Sequence, residues 1–278
     1  AQLGAIYSLM AHWSLSNEVA TIVLPTGTGK TETMLVATLA DKATRTLVIV
    51  PSIELKNQIA DKYATWGILR KLGVVTKETL NPSVLILNKT LESDENIEDI
   101  KSADIIISTP AFFARTTSEI QLKIKDIFSH VFFDEAHHIK ANEWSYIKQL
   151  FKNSKIVQFT ATPYRNDKKP IEGKIVYNYP LTKALEDKCF SKISLVTVNE
   201  RHPGKKDKAI ADAAMQRLLD DRKKGFTRHR MMVRTDERSH AEILLKKYEE
   251  WFPNERIKLI HSGTKDKKNV IENIKKGE

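Results

Sequence analysis
Thr21-Ile22-Val23-Leu24-Pro25-Thr26-Gly27-Thr28-Gly29-Lys30-Thr31 is the stretch from which the fold is read. An apolar, β-branched run passes directly into a Gly/Thr loop and then into a helix, the order strand, loop, helix. Such a passage aims several backbone N–H groups and the positive end of a helix dipole at one point, where a phosphate chain can settle. Lys30 would reach the β and γ phosphates and the Thr31 hydroxyl would take a place on Mg²⁺. Thr26, Gly27, Thr28 and Gly29 complete a nucleotide phosphate site with them. Leu24 stands where the strict pattern has its first glycine, which weakens the match but leaves the backbone mechanism intact. A chance Gly/Thr turn ahead of a lysine is the duller alternative, and the next carboxylates decide between the two.

Those carboxylates are Asp134 and Glu135, behind the apolar run Val131-Phe132-Phe133 and so at the end of a second buried strand. Adjacent desolvated acids repel each other unless a cation or a basic partner offsets them, and a Mg²⁺ between strand end and phosphates would do so. Asp134 is then the metal-side ligand. Glu135 becomes the base that orients and deprotonates an attacking water.

The string Asp134-Glu135-Ala136-His137 resembles motif II of the superfamily-two helicases and translocases, the DEAD/DEAH-like ATPases. Further matches follow in the family's order. Gln2 resembles its adenine-reading glutamine, Pro25 to Thr31 its motif I, and Val50-Pro51-Ser52 with Leu55 and Gln58 its motif Ia. Ser108-Thr109-Pro110 is similar to motif Ib and Thr160-Ala161-Thr162 to motif III. The longer strings Asp134 to His138 and Thr160 to Asp167 are most similar to the branch of restriction-enzyme motor subunits and related double-stranded DNA translocases.

The resemblance implies an α/β protein with two RecA-like parallel-sheet domains in tandem, the second incomplete. It places an ATP-binding lobe at 1–180, a linker at 181–191, with Tyr177 to Leu181 leading into it, and part of a second lobe at 192–278. ATP and Mg²⁺ are the implied cofactors, with ATP between the lobes. His137 would bridge motif II to Thr160 and Thr162, which sense the γ-phosphate. Pro51, Ser52, Thr109 and Pro110 would touch the backbone of a nucleic acid strand rather than its bases. For Ser52 a plain helix N-cap competes with that role. Arg165 and Asp167 belong to the branch signature, with no role derivable from chemistry. The family's second lobe continues into motifs V and VI, which nothing after His261-Ser262-Gly263 matches, so a truncated core with weak activity of its own is implied.

Length and composition agree. A chain of 278 residues with 41% hydrophobic content can bury a large core and is long enough for two domains. No apolar run approaches membrane-spanning length. The absence of a visible leader and the single cysteine, Cys189, suggest a cytoplasmic enzyme, and the start at Ala1 suggests an excised piece. The net charge of +10 is uneven: residues 1–180 carry 21 basic and 19 acidic side chains, and 181–278 carry 24 and 16. A basic second lobe suits a polyanionic partner bound through counterion release.

Strands are expected at Thr21–Leu24, Thr46–Val50, Val84–Leu87, Asp104–Ser108, Val131–Phe133 and Ile156–Thr160, alternating with helices as an open parallel sheet requires. Two more are expected at Arg230–Arg234 and Ile257–Ile260, flanking a helix over Asp236–Glu250. Lys30, Ser52, Thr109, Asp134 and Thr160 all follow strands, on the carboxyl edge where open α/β sheets bind ligands. The expected function is an ATP-dependent translocase or helicase motor, with DNA favoured over RNA as its track and room for a nuclease or other subunits. A nucleic-acid sensor clamped by ATP, an RNA helicase and a protein-remodelling ATPase are the rivals, separated by which nucleic acid stimulates ATPase activity.

Overall fold
The computed structural model describes residues 1–88, 94–164, 169–190, 194–261 and 263–276. The chain divides into two compact units, Ala1–Lys192 and Ile193–Glu278.

The first unit is built on a seven-stranded sheet. Its strands are β1 (Ala20–Val23), β2 (Thr46–Ile49), β3 (Val84–Ile86), β4 (Ile105–Ser108), β5 (His130–Phe133), β6 (Lys155–Thr160) and β7 (Lys174–Asn178). They lie in the order β3-β4-β2-β5-β6-β1-β7, and every pairing is parallel. Helices α1 (Gln2–Leu15), α2 (Lys30–Ala40), α3 (Ile53–Thr65), α4 (Gly67–Lys71), α5 (Asp94–Ser102), α6 (Pro110–Arg115), α7 (Ser118–Ile124), α8 (Ala141–Leu150) and α9 (Leu181–Glu186) surround it.

Parallel strands need crossovers, and crossover helices cover both faces, so the central strands are buried along their length except at Lys155, which is half-buried. The period-2 alternation then sorts neighbours into two layers. Val48, Ile105, Ile107 and Phe132 pack with α1 to α4, whereas Leu47, Ile49, Ile106, Val131 and Phe133 pack with α5 to α8. The six expected strands of this unit form within a residue or two of their expected bounds.

The edge strand β7 has no counterpart among the expected strands. Its residues are exposed or half-buried, and its pairing with β1 shifts register between Thr21 and Ile22. Half-exposed edges lack the continuous apolar run that marks a buried strand. The stretch 181–191, expected as a linker, instead continues this unit over its described residues. Helix α9 buries Ala184 in the layer of α1 to α4, and the Cys189 N–H donates back to the Ala184 carbonyl.

Register puts the carboxyl ends of the central strands on one line. Ile49 is level with Ser108 and Phe133, and Val23 with Thr160. The ladder runs one residue further, with the Leu24, Val50 and Asp134 N–H groups donating to Thr160, Ser108 and Ile49.

The second unit contains α10 (Lys206–Lys223), α11 (Arg238–Trp251) and α12 (Lys267–Lys276). Among the described residues of this unit no strand forms, so Arg230–Arg234 and Ile257–Ile260 are corrected to irregular chain. Met231 and Ile257 pack against a small core of Ala211, Leu244 and Tyr248, while Met232 is 90% exposed. Apolar spacing chooses the side chain that turns inward, but a strand also needs a partner for its backbone groups. Among the described residues no helix is long and apolar enough to cross a membrane.

Candidate functional site
The loop between β1 and α2 is shaped by two glycines in the left-handed region, Gly27 at φ 85° and Gly29 at φ 92°. Gly29 is the N-cap of α2, and a Cβ there would run into the side-chain amide of Gln2. The expected adenine-reading residue therefore stands against the loop that leads into α2. Thr28 locks the turn by donating from its hydroxyl to the Pro25 carbonyl at 2.6 Å. Thr26 lines a cavity of about 380 Å³ together with Ser52, Glu135 and His137. Thr31 is half-buried in the first turn of α2.

Lys30 is buried, and its ammonium lies 3.0 Å from the Glu135 Oε1, beyond which the Leu24 carbonyl accepts at 3.5 Å. Two residues more than a hundred positions apart thus meet at the carboxyl edge. Glu135 adopts the left-handed conformation at φ 47°, an uncommon and costly one for a residue with a Cβ. Its second oxygen, Oε2, is buried without a hydrogen-bond partner. Burial, followed by the charge of Glu135, pushes the Asp134 carboxyl up to about 6, while Lys30 and the Glu135 N–H, which donates at 3.0 Å, pull it back. A buried carboxylate held this high and an orphaned carboxylate oxygen beside it suit a hard divalent cation, which prefers oxygen ligands.

Next to this pair, Thr160 donates its hydroxyl to the Thr162 carbonyl at 2.7 Å, and His137 Nδ1 lies 2.9 Å from the same hydroxyl oxygen. The hydroxyl proton is spent on Thr162, so His137 must donate from Nδ1. Burial and then the neighbouring His138 hold the His137 imidazole below its ordinary range, which keeps the ring neutral. The carboxylate of Glu135 is 3.5 Å from the same nitrogen. Hydrogen bonds therefore join His137, Thr160 and Thr162, and the Glu135 carboxylate lies beside His137 without a hydrogen bond to it.

Pro51, Ser52, Thr109 and Pro110 line a second cavity, of about 440 Å³. Ser52 caps α3, accepting from the Leu55 N–H at 3.4 Å. A hydroxyl has two acceptor lone pairs and a separate donor, so the capping bond leaves its O–H free for a ligand, and the two expected roles do not compete. Thr109 is the N-cap of α6 but its hydroxyl makes no capping bond there.

Residues 1–165 match the family described as "Type III restriction enzyme, res subunit". The chain belongs to this family. The res-subunit match spans all the elements of the first unit up to β6 and thus the whole of the site just described. Over 165 residues the chain is 30% identical to the DNA 3'-5' translocase XPB2 of Sulfurisphaera tokodaii, covering 56% of this chain and 31% of that protein. Over 175 residues it is 26% identical to reverse gyrase 1 of the same organism, covering 61% of this chain and 13% of that one. The chain thus spans about a third or less of these relatives. Among solved structures it is similar to the nuclease-deletion mutant of the Type ISP restriction-modification enzyme LlaGI bound to a DNA substrate mimic. That likeness has a TM-score of 0.48 at 17% identity and covers 99% of this chain and 30% of that one. The UvsW helicase of bacteriophage T4 gives 0.42 at 16%, covering 60% and 53%.

In this chain the contacts tie Gln2 to Gly29, Lys30 to Glu135, His137 to Thr160 and Thr160 to Thr162, and one cavity gathers Pro51, Ser52, Thr109 and Pro110. Arg165 and Asp167 lie outside the described residues. Lys56, Arg115 and Lys140 also line the 440 Å³ cavity, although no motif marks them in the sequence. Lys56 follows the Ser52 cap by one helical turn and so shares its face, which is the signal that could have found it.

Proposed function
We propose that this chain carries the ATP-binding part of an ATP-dependent nucleic-acid motor, a translocase or helicase that moves on DNA in preference to RNA. The observation that carries the reading is the 3.0 Å contact between Lys30 and Glu135 at the carboxyl edge of a parallel sheet, beside a loop with two left-handed glycines. An ammonium kept buried by a carboxylate is ready to exchange that partner for phosphate oxygens, which frees Glu135. Mg·ATP, when bound, would supply the phosphoryl group and the cation that completes the oxygen set of Thr31 and Asp134.

The freed Glu135 then orients a water and takes its proton. Because His137 lies against both Glu135 and Thr160, a change at the base can pass through His137 and Thr160 to Thr162. Ser52 and Thr109 offer hydroxyl donors to a strand backbone, and such contacts hold a strand without reading its bases. The similarity to a DNA translocase supports DNA as the track. A DEAD/DEAH-type site and a cytoplasmic setting, which a chain with one cysteine suits, complete the proposal.

The test is steady-state ATPase with duplex DNA, single-stranded DNA or RNA added. Glu135→Gln should keep nucleotide binding but lower turnover by at least about 100-fold, whereas Lys30→Ala should weaken nucleotide binding itself. Wild-type turnover in Glu135→Gln would refute the base assignment. Stimulation by RNA alone would move the track from DNA to RNA.

A further inference from the structure
The cavity under Ser52 and Thr109 has a cation in its wall that helix packing does not explain. Lys56 is 4% exposed, and its Nζ donates to the Leu87 carbonyl at 2.8 Å and to Asn88 Oδ1 at 2.7 Å. Both acceptors are neutral. A lysine ammonium has three donors and no acceptor, so one N–H remains beyond these two.

Burying a charge among dipoles alone is costly, and an apolar side chain of similar length would pack at this position at less cost. Burial moves the Lys56 pKa below the usual lysine range, as expected of an ammonium without a countercharge. The cavity it lines also carries Arg115 and Lys140, against Glu143 as the one carboxylate among its described lining residues. An anion entering there would meet a cation already held in place by two hydrogen bonds and largely withdrawn from solvent.

We propose that Lys56 donates its remaining N–H to a backbone phosphate oxygen of a nucleic acid strand lying over Pro51, Ser52, Thr109 and Pro110, with Asn88 as its positioning residue. The proposal rests on the nucleic-acid reading of this cavity and adds to it the charged contact that two hydroxyls lack. Asn88 holds the long stem in one rotamer through a neutral oxygen. A carboxylate at the same place would hold it equally well but would neutralise it.

That difference supplies the test. Fluorescence anisotropy with a short DNA strand, over a salt series, compares the wild type with Ser52→Ala, Lys56→Met and Asn88→Asp, each also melted thermally. Lys56→Met should bind about tenfold more weakly, and its log affinity should fall less steeply with log salt, by about 0.7 to 0.9 in slope. Asn88→Asp should weaken binding comparably while melting at or above the wild-type temperature, because the new carboxylate pairs with the ammonium. A lysine that serves stability alone gives a higher melting temperature in Asn88→Asp with unchanged affinity, and that result overturns the proposal. If Lys56→Met does not fold, Asn88→Asp decides by itself. Wild-type chain that binds no DNA overturns the reading of the whole cavity. Weaker binding by Ser52→Ala with unaltered binding by Asn88→Asp overturns the lysine assignment alone.

Discussion
The two units of this chain treat similar apolar segments in opposite ways. In the first, Leu47-Val48-Ile49 and Val131-Phe132-Phe133 are fully buried, because each strand has a parallel neighbour on both sides and helices over both faces. In the second, Met231-Met232-Val233 is also apolar, yet it forms no strand and turns Met231 toward the small core. A run of apolar residues specifies burial. Strand formation also requires neighbours that satisfy its backbone, and those are a property of the assembled sheet.

The largest expected difference between the units is in core energetics. Phe132→Ala should destabilise the first unit by about 3–5 kcal/mol, and Leu244→Ala, in the small core of α10 and α11, should cost the second unit about 2 kcal/mol. Urea denaturation followed by separate probes in each unit checks this, and equal losses would break the contrast.

A smaller effect is expected at the amino-terminal edge of the sheet, where Asp41 accepts from His130 Nε2 at 2.7 Å and from Lys155. Burial, outweighing the attraction of Asp41, lowers the His130 pKa. The unfolded chain therefore takes up a proton that the folded one refuses, and stability is lost as pH falls below about 6.5. Burial alone would raise the Asp41 pKa, but its bonds and the charges of Lys155 and His130 bring it below the usual carboxylate value. Its contribution is present above about pH 4 and is lost below that. Denaturation midpoints of the first unit should drop between pH 7.5 and pH 5.5, and His130→Gln should flatten that slope. An equal slope in the variant would remove His130 from the account.

The smallest effect belongs to the second unit. Arg222 donates from both terminal nitrogens to Glu255, at 2.6 and 2.8 Å, tying the end of α10 to the segment after α11. The pair is partly exposed, so Arg222→Ala should cost about 0.5 kcal/mol or less, seen as faster amide exchange in the last turn of α10. A loss as large as that from Leu244→Ala would show that this unit is held by its ion pair rather than by its small core.

Much of the candidate site is legible in the amino-acid sequence, because its residues come in local strings. Glycines ahead of Lys30 and paired acids after an apolar run are features of the chain, and they forecast the left-handed loop and the costly Asp134–Glu135 pair. Strand β7 and the packed α9 are not legible there, since edge strands and short half-exposed helices leave weak patterns. Nor is Lys56, whose charge suggests a surface position until the fold buries it.

By itself the sequence determined six of the seven strands, the alternation of their faces and the residue types at their carboxyl ends, because these follow from local periodicity and from backbone demands that glycine meets most easily. Tertiary structure decided which distant residues meet: Lys30 with Glu135, His137 with Thr160, Lys56 with Asn88. It also decided that Arg230–Arg234 is not a strand. Both outcomes have the same cause, since contact and pairing between separate elements depend on strand order and register, which the packing of the whole sheet selects and no short stretch of chain encodes.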